Sequence, residues 1–111
     1  MSLPTFATLD SIYAHTSGAG NTGYWTVITN KRVYAATLAA ASANSIQFVQ
    51  AEQVKRVYLS TKCAAAGAIE ISRVSTSQIA TANPTKDVLA RVDVEPVTTS
   101  GMPQQNYAIE Y

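Results

Sequence analysis

Six strong β-formers in a row, Tyr24-Trp25-Thr26-Val27-Ile28-Thr29, run directly into the polar step Asn30-Lys31. β-Branched and aromatic side chains fit a pleated, half-buried surface, and a two-residue polar step between such runs reads as a hairpin turn. Arg32 to Leu38 is then the returning strand. The same rhythm continues to the C-terminus, with strands expected over Ser45–Gln50, Val54–Thr61, Ala68–Ser75, a sixth ending at Pro96, and Asn106–Tyr111. The sixth alternates most cleanly: Val88, Ala90, Val92 and Val94 share one face, and Leu89, Arg91, Asp93 and Glu95 the other.

Helix signals are weak by comparison. The Ala39–Asn44 segment is helix-compatible but too short to stand alone. Composition agrees, with 10 Val and 7 Ile against 5 Leu, and 13 Thr and 6 Tyr. The expected fold is all-β: one small antiparallel β-sandwich or barrel of about seven short strands with an extended N-terminal arm. At 111 residues a single domain spans 1–111, divided into an extended or flexible segment, 1–23, and a β core, 24–111. In the arm, Pro4 excludes an early helix, and the stretch from Ser17 to Gly23 is rich in turn formers. Phe6, Leu9, Ile12 and Tyr13 fall near helical spacing and allow one helical turn at 7–14. The expected core is Trp25, Val27, Val33, Phe48, Val57, Ile69, Ile71, Val88, Val92, Val94 and Ile109. Removing residues 1–20 is expected to weaken assembly while leaving the fold intact.

Two segments resemble one another. Lys31-Arg32-Val33-Tyr34-Ala35-Ala36-Thr37 matches Lys55-Arg56-Val57-Tyr58-Leu59-Ser60-Thr61 at five of seven positions, and an alanine-rich connector and a further strand follow each. Two related ββ units account for the pattern, as does chance recurrence of β sequence.

Motifs for catalysis are sparse. His15 is the only histidine and Cys63 the only cysteine, so neither a multi-histidine metal site nor an internal disulfide is available. Cys63 reads as a small buried thiol rather than a nucleophile paired with His15. The glycines at 18, 20 and 23 precede a strand instead of a helix, which removes the helix N-terminus that a phosphate loop requires. Asp87, Asp93, Glu95, Glu70 and Glu110 are the carboxylates considered for glycoside chemistry, and nothing in their surroundings marks one as desolvated. No catalytic, cofactor-binding or metal-ligating residue is therefore assigned, and the chain reads as non-enzymatic.

The basic doublets carry the one alternative site. Arg32 and Tyr34 point to one face of a strand, as do Arg56 and Tyr58. Basic groups beside aromatic rings are what single-stranded nucleic-acid binders use, so Lys31, Arg32, Tyr34, Lys55, Arg56 and Tyr58 form a candidate surface if both segments converge on one exposed face. The net charge argues against it: 8 Lys+Arg against 7 Asp+Glu leave only +1, with charged residues 14% of the chain. Low charge and abundant Ala, Thr and Ser suit a subunit that buries much of itself against neighbours. The leading expectation is a self-assembling structural subunit of a bacteriophage particle, of coat, decoration or connector type. Its partners are then copies of itself or a larger shell protein, with a neighbour's strand able to complete a sheet edge at Tyr111. Met-Ser-Leu-Pro-Thr lacks the basic and apolar segments of a signal peptide, and no run reaches the ~20 apolar residues of a membrane span. The expected location is the virion, or otherwise the cytoplasm, without membrane attachment.

Overall fold

A computed structural model of the chain describes residues 3–16, 22–38, 43–62, 67–79, 85–94 and 105–111. Within them lie β1 (Thr5–Phe6), β2 (Asp10–Thr16), β3 (Thr22–Thr29), β4 (Val33–Leu38), β5 (Ala43–Gln47), β6 (Glu52–Lys62), β7 (Gly67–Ser75), β8 (Lys86–Val94) and β9 (Gln105–Glu110), with one short 3-10 turn at Thr76–Gln78. Two antiparallel sheets face each other. The first runs β1-β6-β3-β4, with β9 continuing the β1 side along the edge of β6, and the second runs β5-β2-β7-β8. The all-β sandwich expected from the sequence is the architecture observed. No helix among the described residues is long and apolar enough to cross a membrane.

The seven expected strands correspond to β3 through β9, and Asn30-Lys31 is the two-residue turn of the β3–β4 hairpin, closed by the Thr29 amide donating to the Arg32 carbonyl at 2.9 Å. The resembling segments occupy equivalent places: β4 and β6 flank β3 in the first sheet, and the strands after them, β5 and β7, flank β2 in the second. Each ββ unit therefore crosses from one sheet to the other around the β2–β3 pair.

The N-terminal segment is extended, but it is not an arm beside the core. β1 pairs with the start of β6, and β2 lies inside the second sheet, matched to β5 from Ser11 to His15 and to β7 from Asp10 to Thr16. Phe6, Ile12 and Ala14 are fully buried. The helical turn allowed at 7–14 is a turn and a strand, with Asp10 capping the turn through Oδ2 on the Ala7 amide at 3.0 Å. Of the turn-rich stretch, Thr22 and Gly23 are described and belong to β3. A Cβ there would lie 1.9 Å from the Ser60 carbonyl oxygen, so the close approach of β3 to β6 requires glycine.

The core between the sheets contains Phe6, Ile12, Trp25, Val27, Phe48, Val54, Val57, Leu59, Ile69, Ile71 and Val94. Two expected core residues are outside it. Val33 (62% exposed) and Val88 (52%) face solvent, and Val92 and Ile109 are only partly buried against the core. In β8 the cause is a bulge: Ile71 pairs with Ala90 but Ser72 with Val88, so Leu89 is an extra residue that turns inward and reverses the face of everything before it. Cys63, Glu95, Pro96 and the glycines at 18 and 20 lie outside the described residues.

Candidate functional site

The β3–β4 turn organises a polar cluster at one end of the sandwich. Thr29, buried at the end of β3, accepts the Lys31 and Arg32 amides on Oγ1 at 3.1 and 3.0 Å. Its hydroxyl proton points to Oε1 of Glu52 at 2.7 Å, closer than the Arg32 carbonyl at 3.1 Å. Arg32 Nε lies 3.4 Å from that same Oε1, and the Tyr34 hydroxyl donates a short hydrogen bond to Oε2. Asn30 and Gln53 exchange two further bonds of 3.0 Å each, which clamp the turn to β6.

Glu52, 1% exposed, is thus held by three donors from one hairpin. Burying a carboxyl group costs several kcal/mol, on the order of its desolvation, unless its oxygens are bonded and its charge matched. The Tyr34 ring packs edge-on against Phe48 at 5.1 Å, and Phe48 leans on Phe6 at 4.4 Å. Burial holds the Tyr34 hydroxyl above its ordinary pKa of 10.0, helped by the bond to Glu52 and the Glu52 charge; the Val49 amide and the Arg32 charge act in the opposite direction. Sequence reasoning overlooked Glu52, because its three partners lie some twenty residues away and only the fold brings them to it. Glu52 is buried, while the Arg32 and Tyr34 side chains stay partly exposed at the rim of the cluster.

The six basic and tyrosine residues do not come together. Lys31 is exposed in the turn, while Arg32 and Tyr34 turn toward Glu52. Lys55 and Arg56 are both exposed where β6 bulges against Ile28 and Thr29, and Tyr58 points outward at 37% exposure. The register gives the reason. Val27 pairs with Tyr34 on one side and with Val57 on the other, so the two resembling segments are offset by one residue. One residue in a strand exchanges the faces, and the two tyrosines therefore lie on opposite faces of the first sheet.

On the outward face the strands place three rows of side chains: Val33, Ile28, Arg56 and Glu110; then Ala35, Thr26, Tyr58 and Ala108; then Thr37, Tyr24, Ser60 and Asn106. Arg56 and Glu110, paired at 3.3 Å, are the charged members of these three rows, both in the corner row, and the next row in register is Thr22 with Lys62. Tyr24 (60% exposed) and Tyr58 border a shallow depression of about 300 Å³, which Thr26, Ser60 and Asn106 also line.

The other sequence candidates are dispersed. His15 is exposed on β2, parallel to the Tyr13 ring at 6.5 Å and opposite Glu70 in register. Glu70 pairs with Lys86 at 3.5 Å, Asp87 with Arg73 at 2.5 Å and Asp93 with Arg91 at 3.3 Å. No three His, Cys, Asp or Glu side chains among the described residues form a metal-ligating group.

The sheet edges differ in chemistry. β8 carries Lys86, Asp87, Arg91 and Asp93 together with its bulge, both devices that discourage edge pairing. β9, the edge leading to Tyr111, pairs with β6 alone among the described residues and contains Glu110. On the opposite side β4 has no strand on its outer edge among the described residues and no charge over Val33-Tyr34-Ala35-Ala36-Thr37-Leu38. No protein-family model matches this chain, and neither a curated protein nor a solved structure matches it.

Proposed function

We propose that the chain is a non-enzymatic structural subunit that assembles with copies of itself, and that the β4 edge is where it does so. The contrast between the two long sides of the sandwich carries this reading. The β8 side is guarded by charges and a bulge, whereas β4 offers six uncharged residues with no strand on their outer edge among the described residues. Antiparallel pairing of β4 with the β4 of a second copy is self-complementary, supplies backbone partners along that edge, and joins two first sheets into one continuous sheet. A particle built from many copies, such as a phage coat, decoration or connector layer, is the setting this reading favours; a larger shell protein is the alternative partner.

Size-exclusion chromatography with light scattering, from micromolar to millimolar protein, tests the reading. The wild-type chain is expected to form a discrete oligomer. Ala35 is exposed in the middle of β4, so Ala35→Lys places like charges across the paired edges and is expected to give a monomer with unchanged circular dichroism. A wild-type chain that stays monomeric throughout, or an oligomer indifferent to Ala35→Lys, overturns the β4 assembly.

A further inference from the structure

We infer that the assembly surface takes in the edges of both sheets, so that β5 of one copy pairs with β5 of a second copy alongside the β4 contact. The inference rests on the reading of β4 as the assembly edge and extends it to the other layer. β4 ends the first sheet and β5 ends the second, and the two lie against each other at one side of the sandwich, as β9 and β8 do at the other. β5 pairs with β2 and has no strand on its outer edge among the described residues. Charge divides between the two sides. Residues 33–51 comprise β4, the connector, β5 and the bend that follows, and they contain no Asp, Glu, Lys or Arg. The other side carries Lys86, Asp87, Arg91 and Asp93 on β8 and Glu110 on β9. A two-fold contact sets each residue against its own kind, so an uncharged segment meets its copy without juxtaposing like charges.

Geometry and size both favour the two-layer contact. The Thr29 amide bonds the Arg32 carbonyl and the Phe48 amide bonds the Asp10 carbonyl. Alternation from those two bonds aims the amides of Ala35 and Thr37 on β4, and of Ser45 and Gln47 on β5, at the outer edges. Ala35 stands three residues before the end of β4 and Ser45 two after the start of β5, so the midpoints of the two edges lie at nearly one height. A single two-fold axis normal to the sheets at that height sets β4 antiparallel to its copy and β5 antiparallel to its own. Half-buried Tyr34, Ala36 and Ile46, which line the core on this side, then face the same residues of the second copy. A strand of six residues spans about 20 Å and one sheet is about 10 Å thick, so β4 alone offers on the order of 200 Å². A stable complex buries about 800 Å² on each partner. β5 roughly doubles the contact, and the turn end of the same side adds exposed Val33, Val49 and Leu9. The Val49 amide lies 3.4 Å from the hydroxyl of Tyr34, the residue after Val33, while Gln47 Nε2 and the Phe48 amide reach the carbonyls of Thr8 and Asp10 on either side of Leu9.

The test is sedimentation equilibrium of the full chain as wild type, Ala35→Lys, Ser45→Lys and Ser45→Thr. Ser45 is exposed at the middle of β5, so the lysine variant is expected to keep the wild-type circular dichroism and melting transition. Its like charges meet across the second layer and are expected to weaken association about tenfold or more, whereas Ser45→Thr associates as the wild type does. Amide exchange gives a second readout that needs no substitution in β5. The Ser45 and Gln47 amides are expected to slow together with those of Ala35 and Thr37 in the associated wild type, relative to the Ala35→Lys monomer. If Ala35→Lys is monomeric while Ser45→Lys associates as tightly as the wild type, or if the slowing is confined to β4, the two-layer contact is overturned and the β4 edge stands. A wild-type chain that stays monomeric, or one that associates regardless of Ala35→Lys, overturns the β4 reading and this inference with it.

Discussion

Glu52 gathers Thr29, Arg32 and Tyr34 onto one buried carboxyl group, and the energetics of that cluster are testable residue by residue. Glu52→Ala takes the acceptor from the partly buried Tyr34 hydroxyl and leaves Thr29 its longer bond to the Arg32 carbonyl at 3.1 Å. Losing two hydrogen bonds to a buried carboxylate should cost on the order of 3 kcal/mol in urea unfolding. Tyr34→Phe removes one donor to a charged acceptor and is expected to cost about 2 kcal/mol. The double variant should lie near Glu52→Ala alone, because the two changes delete one shared bond; strict additivity would mean the bond contributes nothing. The same cluster sets an alkaline limit. Tyr34, chiefly by burial and then by its bond to Glu52, and Tyr111, by burial, both ionise above their ordinary 10.0 in the folded chain. Between the unfolded and folded pKa values the native state holds more protons than the unfolded one, so stability is full below pH 10 and falls as pH rises beyond it. Absorbance titration of the phenolates should show a late component that shrinks in Tyr34→Phe and in Tyr111→Phe, and Tyr34→Phe should flatten the alkaline loss of stability.

Strands were legible where β-branched and aromatic residues cluster, including β7, which is largely buried on both faces but carries Ile69, Ile71 and Val74. β3 through β9 announced themselves by β-branched runs, period-two alternation and turn residues, and the Asn30-Lys31 turn was found because its signal is local. β2 was not, and its burial explains why. Ser11, Ile12, Tyr13 and Ala14 are all buried in succession, since a central strand covered on both faces has no alternation to read. Its apolar residues, together with Phe6 and Leu9, imitate helical spacing instead. The misplaced faces have a second cause. A bulge at Leu89 moved Val88 to solvent, and a one-residue offset between β4 and β6 sent Tyr34 inward and Tyr58 outward. Bulges and offsets are set by pairing between strands, which no single strand's sequence specifies. The candidate site inherited the same limits: Tyr34 and Tyr58 could only be offered together as one surface, and the register that sends Tyr34 inward and Tyr58 outward beside Tyr24 has no signal in either segment alone. Glu52 has no local signature at all, because its partners come from the β3–β4 hairpin.

The molecule as a whole is tied together from its N-terminus. β1 belongs to the first sheet and β2 to the second, so twelve residues contribute to both layers. Arg73, on β7, adds a bond from Nη1 to the Thr5 carbonyl at 2.7 Å, and Val54 donates to the Pro4 carbonyl at 3.0 Å. Deleting residues 1–20 removes the buried Phe6 and Ile12, whose burial alone is worth about 4 kcal/mol. It also removes β2 from between β5 and β7, which strips both neighbours of their ladder and leaves β5 with no strand partner among the described residues. A domain of this size has a total stability on the order of 5–10 kcal/mol, so the loss exceeds what the remainder can absorb. The truncated chain is therefore expected to lack cooperative unfolding and to show collapsed amide dispersion in solution, whereas deletion of residues 1–3 alone should leave the melting transition nearly unchanged. A truncated 21–111 chain that melts cooperatively near the full-length temperature would mean that β2 is an accessory strand and that β5 finds another partner. Assembly then separates from folding: Ala35→Lys acts on the outer edge of β4 and should abolish association in a chain that still melts as a unit, while the N-terminal deletion should abolish the unit itself.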